Sequence, residues 1–473
     1  MAILPHLILA AGGLVIFGVG AFGPRRPPGL LFALALLTAL GAGLAAIPDY
    51  AGESAFSAML DPGTYGRFFT LLIAAITGLT LLFVRQYSRV RGFAGDELYA
   101  LLLFAALGMS LAAGAVHWLI FFLGLELLSI CLYVLIAIRK NDAGSNEAGL
   151  KYFIMGAVAS GILTFGLALI YAARGTLMIR ASLAGGGDSG DFTLTLLGLA
   201  LVLVGIGFKI SLVPFHLWTP DVYQGAPAPV TAFLSTGSKV ALFAALLRFS
   251  LDLRGPLWAY ALPAIWVLAA LTMTVGNITA LAQTRVKRLL AYSSVAQMGY
   301  LFMTLVAVKE SGPAAIIFYL AVYAVMDLGA FGLVGALSPP SSDRDSLEDF
   351  KGLGFTRPWL AGVLALCLIS LAGLPPTAGF MGKLLLFKAV LEARFAILAV
   401  IGIFSAIISI YFYMKVLAAL YMRQPEPEAA VGADFSVSLG SGIILALILA
   451  LGLLPSTLLG AISRVTQGLT HFH

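Results

Sequence analysis

The stretch GIGFKISLVPFHLWTPDVYQGAP, residues 205–227, decides how this chain is read. Lys209 stands inside an apolar run, and Pro214 breaks that run five residues later. A compact polar insert with His216 and Asp221 follows. A charge near the centre of a bilayer costs at least ~2.5–3.5 kcal/mol on insertion scales, so it normally faces protein or water. A proline inside a span frees backbone carbonyls, and broken helices at membrane depth line polar cavities. The stretch therefore predicts a transmembrane helix interrupted beside a protonatable group.

The rest of the chain has the composition this requires. Of 473 residues, 60% are hydrophobic and only 11% charged, with a mean hydropathy of +1.01. Soluble domains carry about 25% charged residues. Apolar runs long enough to cross a bilayer, about 18 residues each, recur along nearly the whole length. The expected fold is an all-α polytopic membrane protein of about fourteen spans. These fall near 4–21, 29–47, 67–85, 98–115, 117–138, 150–172, 193–213, 227–249, 258–282, 294–308, 313–337, 359–391 (interrupted), 395–421 and 438–462. The first run lacks a basic start and leads into GPRRPPG, so it reads as a retained helix and not a signal peptide. Two longer connectors, ARGTLMIRASLAGGGDSGDF and SPPSSDRDSLEDFKGLGFTRP, read as surface loops.

The net charge of +6 is spread over the connectors between spans, not gathered in a patch, which argues against nucleic acid as a partner and for a lipid bilayer. Fourteen basic residues fall on one side: Arg25, Arg26, Arg85, Arg89, Arg91, Arg139, Lys140, Arg285, Lys287, Arg288, Arg344, Lys351, Arg357 and Arg423. Eight fall on the other: Arg67, Arg174, Arg180, Arg248, Arg254, Lys309, Arg394 and Arg464. The positive-inside rule then places the first group in the cytoplasm and both termini outside. The six remaining cations, Lys151, Lys209, Lys239, Lys383, Lys388 and Lys415, are all lysines within or at the edge of spans. A lysine can lose its charge when desolvated and an arginine effectively cannot.

Lys388 and Lys415 lie near span ends, where snorkelling explains them. Lys151 opens its span beside small residues suited to close packing. Glu126, in FFLGLELLSICLYVL, is too deep to snorkel: it is either one half of a static ion pair or a titrating carboxyl. Lys209 and Lys239 sit deep in consecutive segments, and Lys383 follows the double proline of SLAGLPPTAGFMG. Cys131 and Cys367 lie in apolar runs without a CxxC, so no zinc or iron–sulfur signature is present. There is no Gly-rich phosphate loop and no nucleophile–base pair. What remains is a row of protonatable groups, and the class it indicates is ion transport, with protons the natural ion.

The interrupted spans also suggest duplication. Residues 98–250 (spans 4–8) and 251–422 (spans 9–13) form two five-span units after an N-terminal 1–97 and before a C-terminal 423–473. An odd number of spans gives the two units opposite orientation, the inverted-repeat plan of many transporters. Broken helices 7 and 12 would carry Lys209 and Lys383. The two lysines do not align, because Lys209 precedes its proline whereas Lys383 follows Pro375 and Pro376.

Four stretches in order, GFKISLVPFHLWTPDVYQGAP, TAFLSTGSKVALFAALLR, KRLLAYSSVAQMGY and SLAGLPPTAGFMGK, resemble the subunit N family of bacterial NADH–quinone oxidoreductase, respiratory complex I. The likeness runs from about residue 95 to 420. It implies an antiporter-like fold and a proton path along the bilayer midplane. By motif, Glu126 would pair with Lys151, Lys209 would be the central proton-holding lysine, Lys239 its relay and Lys383 the exit-side residue. It also implies that NADH, FMN, iron–sulfur clusters and quinone are bound by other subunits and no cofactor by this chain. The implied partners are antiporter-like subunits M and L and small subunits such as K and J, in a bacterial inner membrane. Asp327 departs from the family, which usually has an uncharged residue there. It either neutralises a lysine, joins the path, or is a protonated structural acid. His216 and Asp221 are read as framing the unwound segment more than carrying protons. Competing readings are a stand-alone or Mrp-type cation/proton antiporter, the membrane arm of a related hydrogenase or plastoquinone-linked complex, and a purely structural subunit. HLWTPDVYQGAP differs from the H-x-W-L-P-D-A-x-E of sibling antiporters, which favours subunit N.

Overall fold

The computed structural model describes residues 3–22, 29–48, 58–93, 95–184, 189–422 and 432–471. Helices follow one another throughout: α1 (Leu4–Phe22), α2 (Leu30–Ala45), α3 (Thr64–Val90), α4 (Asp96–Gly114), α5 (Trp118–Ile136) and α6 (Ala143–Arg174). A short α7 (Ile179–Leu183) leads to α8 (Ser189–Lys209), α9 (Trp218–Gly225), α10 (Ala228–Phe233) and, after a π-helical turn over 234–238, α11 (Lys239–Asp252). Then come α12 (Gly255–Leu281), α13 (Val286–Thr304), α14 (Gly312–Leu337) and the one-turn α15 (Leu353–Thr356). The chain ends with α16 (Pro358–Ala372), α17 (Ala378–Glu392), α18 (Ala396–Met422), α19 (Phe435–Leu453) and α20 (Pro455–His471). The described residues hold twelve helices long and apolar enough to cross a membrane, together with two shorter apolar ones, α2 and α16.

Burial divides these helices into a centre and a rim. The α10–α11 segment, α13 and α14 are buried along almost their whole length. Around them, Leu37, Ile130, Val158, Leu197, Ile278 and Phe404 point outward. Lipid tails are as apolar as these side chains, so nothing draws them inward. The centre is therefore where a polar residue is hidden from lipid.

Both predicted breaks are present. α8 stops at Lys209, residues 210–217 are unwound, and α9 resumes at Trp218. α16 stops at Ala372 and α17 resumes at Ala378. Freed backbone groups of the first break find side-chain partners, as buried groups must. Trp218 Nε1 donates to the Phe208 carbonyl at 2.8 Å, and Val213 N donates to Thr272 Oγ1 at 3.1 Å. What holds α8 in place is a close approach to α6. A Cβ on Gly166 would lie 2.6 Å from Gly198 O, and one on Gly198 would lie 2.7 Å from Gly166 O. Only hydrogens fit there, so the backbones meet, and Lys209 is carried against α5 and α6.

Several boundaries differ from expectation, each for a local reason. α6 begins at Ala143, because Asp142 caps it and accepts from Gly144 N at 2.9 Å and Ser145 N at 3.2 Å. α13 begins at Val286, eight residues before the expected span, because its two cations face acids of the same bundle, one pair buried and the other part-exposed. Lys287 Nζ meets Asp343 Oδ2 at 3.0 Å and Arg288 meets Asp221 Oδ1 at 2.6 Å. The last expected span, 438–462, is cut at Pro455, where the amphipathic α20 begins.

The segment after α14 is no free surface loop. Asp343 receives Tyr87 Oη at 2.7 Å, Arg91 at 3.2 Å and Lys287, and so ties α3 to α13. Burial pushes the Asp343 carboxyl up, but the charges of Lys287 and Arg91 and the Tyr87 hydrogen bond outweigh it and hold the group below its ordinary value. Arg248, expected outside the membrane, lies within α11, buried, and pairs with Asp61 at 2.9 Å. Arg25, Arg26 and Arg423 lie outside the described residues.

Candidate functional site

Lys209 occupies the C-terminal end of α8, where backbone carbonyls favour a cation. It is 2% exposed. Its Nζ donates to Ser129 Oγ at 2.8 Å and to Tyr133 Oη at 3.2 Å, both on α5. The rings of Tyr133 and Tyr152 each lie 5.1 Å from the same nitrogen, within cation–π range. Tyr152 stacks on Trp218 at 4.6 Å, Trp218 meets Tyr223 edge-on at 6.0 Å, and Lys239 Nζ lies 5.4 Å from the Tyr223 ring. A run of aromatic rings thus joins the first lysine to the second.

Glu126 and Lys151, paired by the family resemblance, do not meet in this structure. Glu126 is half-buried and accepts from Ser160 Oγ at 2.5 Å. Lys151 lies nine residues before Ser160, roughly 13 Å away along α6 at ~1.5 Å per residue. It pairs instead with Glu147 at 2.7 Å and Asp221 at 3.1 Å, and its side chain is 43% exposed. The cation on which the charge of Glu126 acts is Lys209. Asp221 bridges Lys151 and Arg288, tying α9 to α6 and α13 at the basic end of the bundle. His216 turns its ring toward Tyr292, 6.4 Å away, and its Nδ1 has no hydrogen-bond partner among the described residues.

Lys239 starts α11 directly after the π-helical turn, a deformation frequent at functional sites. It is fully buried and donates to Ser294 Oγ at 2.5 Å. Ser294 is 2.6 Å from Tyr323 Oη, and Tyr323 donates to Asp327 Oδ2 at 3.1 Å. On the same helix as Ser294, Ser293 touches Tyr413, and Gln297 donates to Tyr413 at 3.3 Å and to the Leu371 carbonyl at 3.2 Å. Lys383 Nζ donates to that same carbonyl at 2.8 Å and to Ala372 O at 3.2 Å. The second break is therefore capped by the lysine that follows it. Of the two lysines expected to snorkel, Lys388 is exposed beside Glu392, whereas Lys415 caps α12 through the Leu281 carbonyl at 2.5 Å.

Two cavities reach this row from the basic end. One, of about 360 Å³, is lined by Glu147, Lys151, Asp221, Gln224, Lys287 and Asp343. Another, of about 920 Å³, runs from Arg91, Arg139 and Lys140 to Phe153 and Tyr133, and the Tyr133 hydroxyl touches Lys209.

Sequence reasoning passed over Ser129, Tyr133, Ser294, Gln297, Tyr323 and Tyr413. The signal was a set of hydroxyl and amide residues at mid-span depth, which need partners there. AYSSVAQMGY shows it most densely.

Known proteins share this architecture. Residues 115–409 match the family described as "NADH:quinone oxidoreductase/Mrp antiporter, TM". NADH-quinone oxidoreductase subunit N 1 of Solidesulfovibrio magneticus is 50% identical over 475 residues, 99% of each chain. NADH-quinone oxidoreductase subunit N of Geotalea uraniireducens is 42% identical, covering 98% of each. A chain of respiratory complex I from Thermus thermophilus superposes with a TM-score of 0.83 at 36% identity, over 97% of this chain and 99% of that one. The Mrp complex of a Dietzia species, at 21% identity and a TM-score of 0.84, shares the fold. This chain belongs to the NADH:quinone oxidoreductase/Mrp antiporter membrane family, and within it to the subunit N proteins of NADH–quinone oxidoreductase.

Proposed function

We propose that this chain is a proton-translocating membrane subunit of an NADH–quinone oxidoreductase, moving protons along Glu126, Lys151, Lys209, Lys239 and Lys383. One observation carries the reading: among the described residues, the hydrogen-bond partners of Lys209, Lys239 and Lys383 are hydroxyls and carbonyls, not carboxylates. A lysine locked to a carboxylate stays charged, whereas neutral acceptors serve both the ammonium and, after rotation of a hydroxyl, the amine. Protons enter through the cavity that ends at Tyr133 and pass from Lys209 across the aromatic run to Lys239. From there α13 leads to Lys383. Glu126 sets the charge felt by Lys209, and Lys151 with Asp221 stands at the mouth.

In this reading the basic end faces the cytoplasm of a bacterial cell and both termini face the periplasm. Residues 98–250 and 251–422 act as two inverted halves, each with one broken helix. NADH, FMN, iron–sulfur clusters and quinone belong to other subunits, and quinone reduction there drives the row through charge. Antiporter-like subunits M and L and small subunits such as K and J would be the neighbours. A stand-alone cation/proton antiporter has the shared fold and the shared family model in its favour, but relatives at 50% and 42% identity over nearly the full length are subunit N proteins.

Lys209→Ala in the assembled complex tests this. NADH-driven acidification of proteoliposomes should be abolished or severely reduced while the subunits still co-purify. Wild-type pumping in that variant would remove Lys209 from the mechanism.

A further inference from the structure

Asp327 is a buried acid that the row of lysines leaves without a task. It lies midway along α14 and is fully enclosed. Its Oδ2 accepts from Tyr323, one turn earlier, its Oδ1 has no close hydrogen-bond partner among the described residues, and the Ser235 hydroxyl acts on the carboxyl as a more distant donor. An ionised carboxylate with one close donor and one more distant one is expensive at such depth, so a purely structural anion is a poor account of it. Lys239 and Asp327 act on each other through charge, and they are joined by atoms as well. The links from Lys239 Nζ to Ser294 Oγ, on to Tyr323 Oη and then to Asp327 Oδ2 measure 2.5, 2.6 and 3.1 Å. Both relays are hydroxyls, each able to accept one proton while giving up another. Tyr323 Oη also lies 3.1 Å from the Ser235 carbonyl in the π-helical turn, a second acceptor for its proton. The other titratable groups in the field of Asp327 are Tyr223 on α9, Tyr319 on α14, Cys367 on α16 and Tyr413 on α18, all uncharged acids with no positive charge to offer.

We propose that Asp327 is the proton partner of Lys239, exchanging a proton with it through Ser294 and Tyr323. The N–H bond of Lys239 breaks as Ser294 Oγ gains that proton. The former Ser294 proton passes to Tyr323 Oη, and the former Tyr323 proton passes to Asp327 Oδ2. Three bonds to hydrogen break and three form, no electron moves, and ammonium plus carboxylate becomes amine plus carboxylic acid. The amine can then take the next proton arriving from the side of Lys209. The pair holds one proton or two, and Lys239 is reset without a proton leaving the protein. Asp327 acts here as a catalytic residue in the proton-transfer sense, not as a counter-charge alone.

This inference rests on the proton-translocation reading, and the experiment separates the two. The assembled complex carrying Asp327→Asn, Tyr323→Phe or Lys209→Ala is placed in proteoliposomes. NADH-driven proton uptake is measured across a pH series, and infrared difference spectra are taken between resting and turning-over enzyme. Asp327→Asn keeps the shape of the side chain and loses the proton site, while Tyr323→Phe keeps the acid and cuts the link. Both should lower pumping by at least about a hundredfold, the lower end of what a positioned acid–base group contributes. The carboxylic-acid carbonyl band that appears in turnover should vanish in Asp327→Asn. Wild-type pumping in both variants beside a dead Lys209→Ala overturns the inference alone. Loss in Asp327→Asn with full pumping in Tyr323→Phe makes Asp327 a static counter-charge and overturns the relay. Should Asp327→Asn fail to assemble, Tyr323→Phe and its carbonyl band decide. Wild-type pumping in Lys209→Ala overturns the reading on which the inference stands.

Discussion

Asp343→Ala removes the anion between two buried cations and tests how the basic end is held. The side chains of Lys287 and Arg91 are 2% and 4% exposed, with Asp343 at 3.0 and 3.2 Å. Deleting one partner of a buried ion pair costs ~3–5 kcal/mol, because the remaining charge is left desolvated without compensation. The Tyr87 hydroxyl loses its 2.7 Å acceptor at the same time, which keeps the cost toward the upper side of that range. At ~1.4 kcal/mol per factor of ten, the open state should rise by about two to three and a half powers of ten. Lys388→Ala is the matched control. Its pair with Glu392 spans 3.6 Å between side chains 66% and 44% exposed, so it should change stability by ~0–1 kcal/mol.

Urea-dependent proteolysis of membranes holding the complex reads both variants. Acid supplies a further check with a fixed sign. The folded Asp343 carboxyl titrates below its ordinary value, so its contribution is complete above the unfolded value of ~3.9 and is lost as pH falls through the folded one. The deficit of Asp343→Ala should be constant from neutral pH down to about 5 and shrink only in stronger acid. Equal behaviour of Asp343→Ala and Lys388→Ala at neutral pH would refute the claim that this cluster is a buried clamp.

The remaining predictions concern the row itself. Gly198→Ala places a methyl 2.7 Å from a backbone oxygen of α6, so α8 must shift, at ~1–3 kcal/mol of stability and with pumping lowered through misplaced Lys209. Gly18→Ala, with nothing within 4 Å, should be silent in the same thermal and pumping assays. Glu126→Gln keeps an acceptor for Ser160 and removes the charge acting on Lys209, so it should slow pumping in proteoliposomes without loss of assembly. Lys151→Ala should be milder than Lys209→Ala, because Lys151 stands at the part-exposed mouth of the row and Asp221 retains Arg288; an equally severe loss would make Lys151 as central to the row as Lys209.

Much of this was legible in the chain. A lysine five residues before a proline in an apolar run announced the break after Lys209, and the double proline announced the break before Lys383. Those signals are local, since a proline stops a helix whatever surrounds it. The partners were harder to read, because they come from helices far away in sequence. Lys151 finds Asp221 and not Glu126, a choice fixed by depth along α6. Lys287 and Arg288 look like connector charges until Asp343 and Asp221 are seen facing them. Arg248 looks exposed for the same reason, because nothing in its neighbourhood announces Asp61. Hydroxyls such as Ser294 and Tyr323 carry no charge, so hydropathy does not separate them from the packing residues around them.

The most direct test of the central claim is Lys209→Arg in the reconstituted complex, scored as protons translocated per NADH oxidised. Arginine keeps the positive charge beside Ser129 and Tyr133 but does not release its proton at any accessible pH. If Lys209 exchanges a proton in every cycle, the ratio falls to near that of Lys209→Ala. A wild-type ratio in Lys209→Arg would show that only the charge is needed, and would contradict the account.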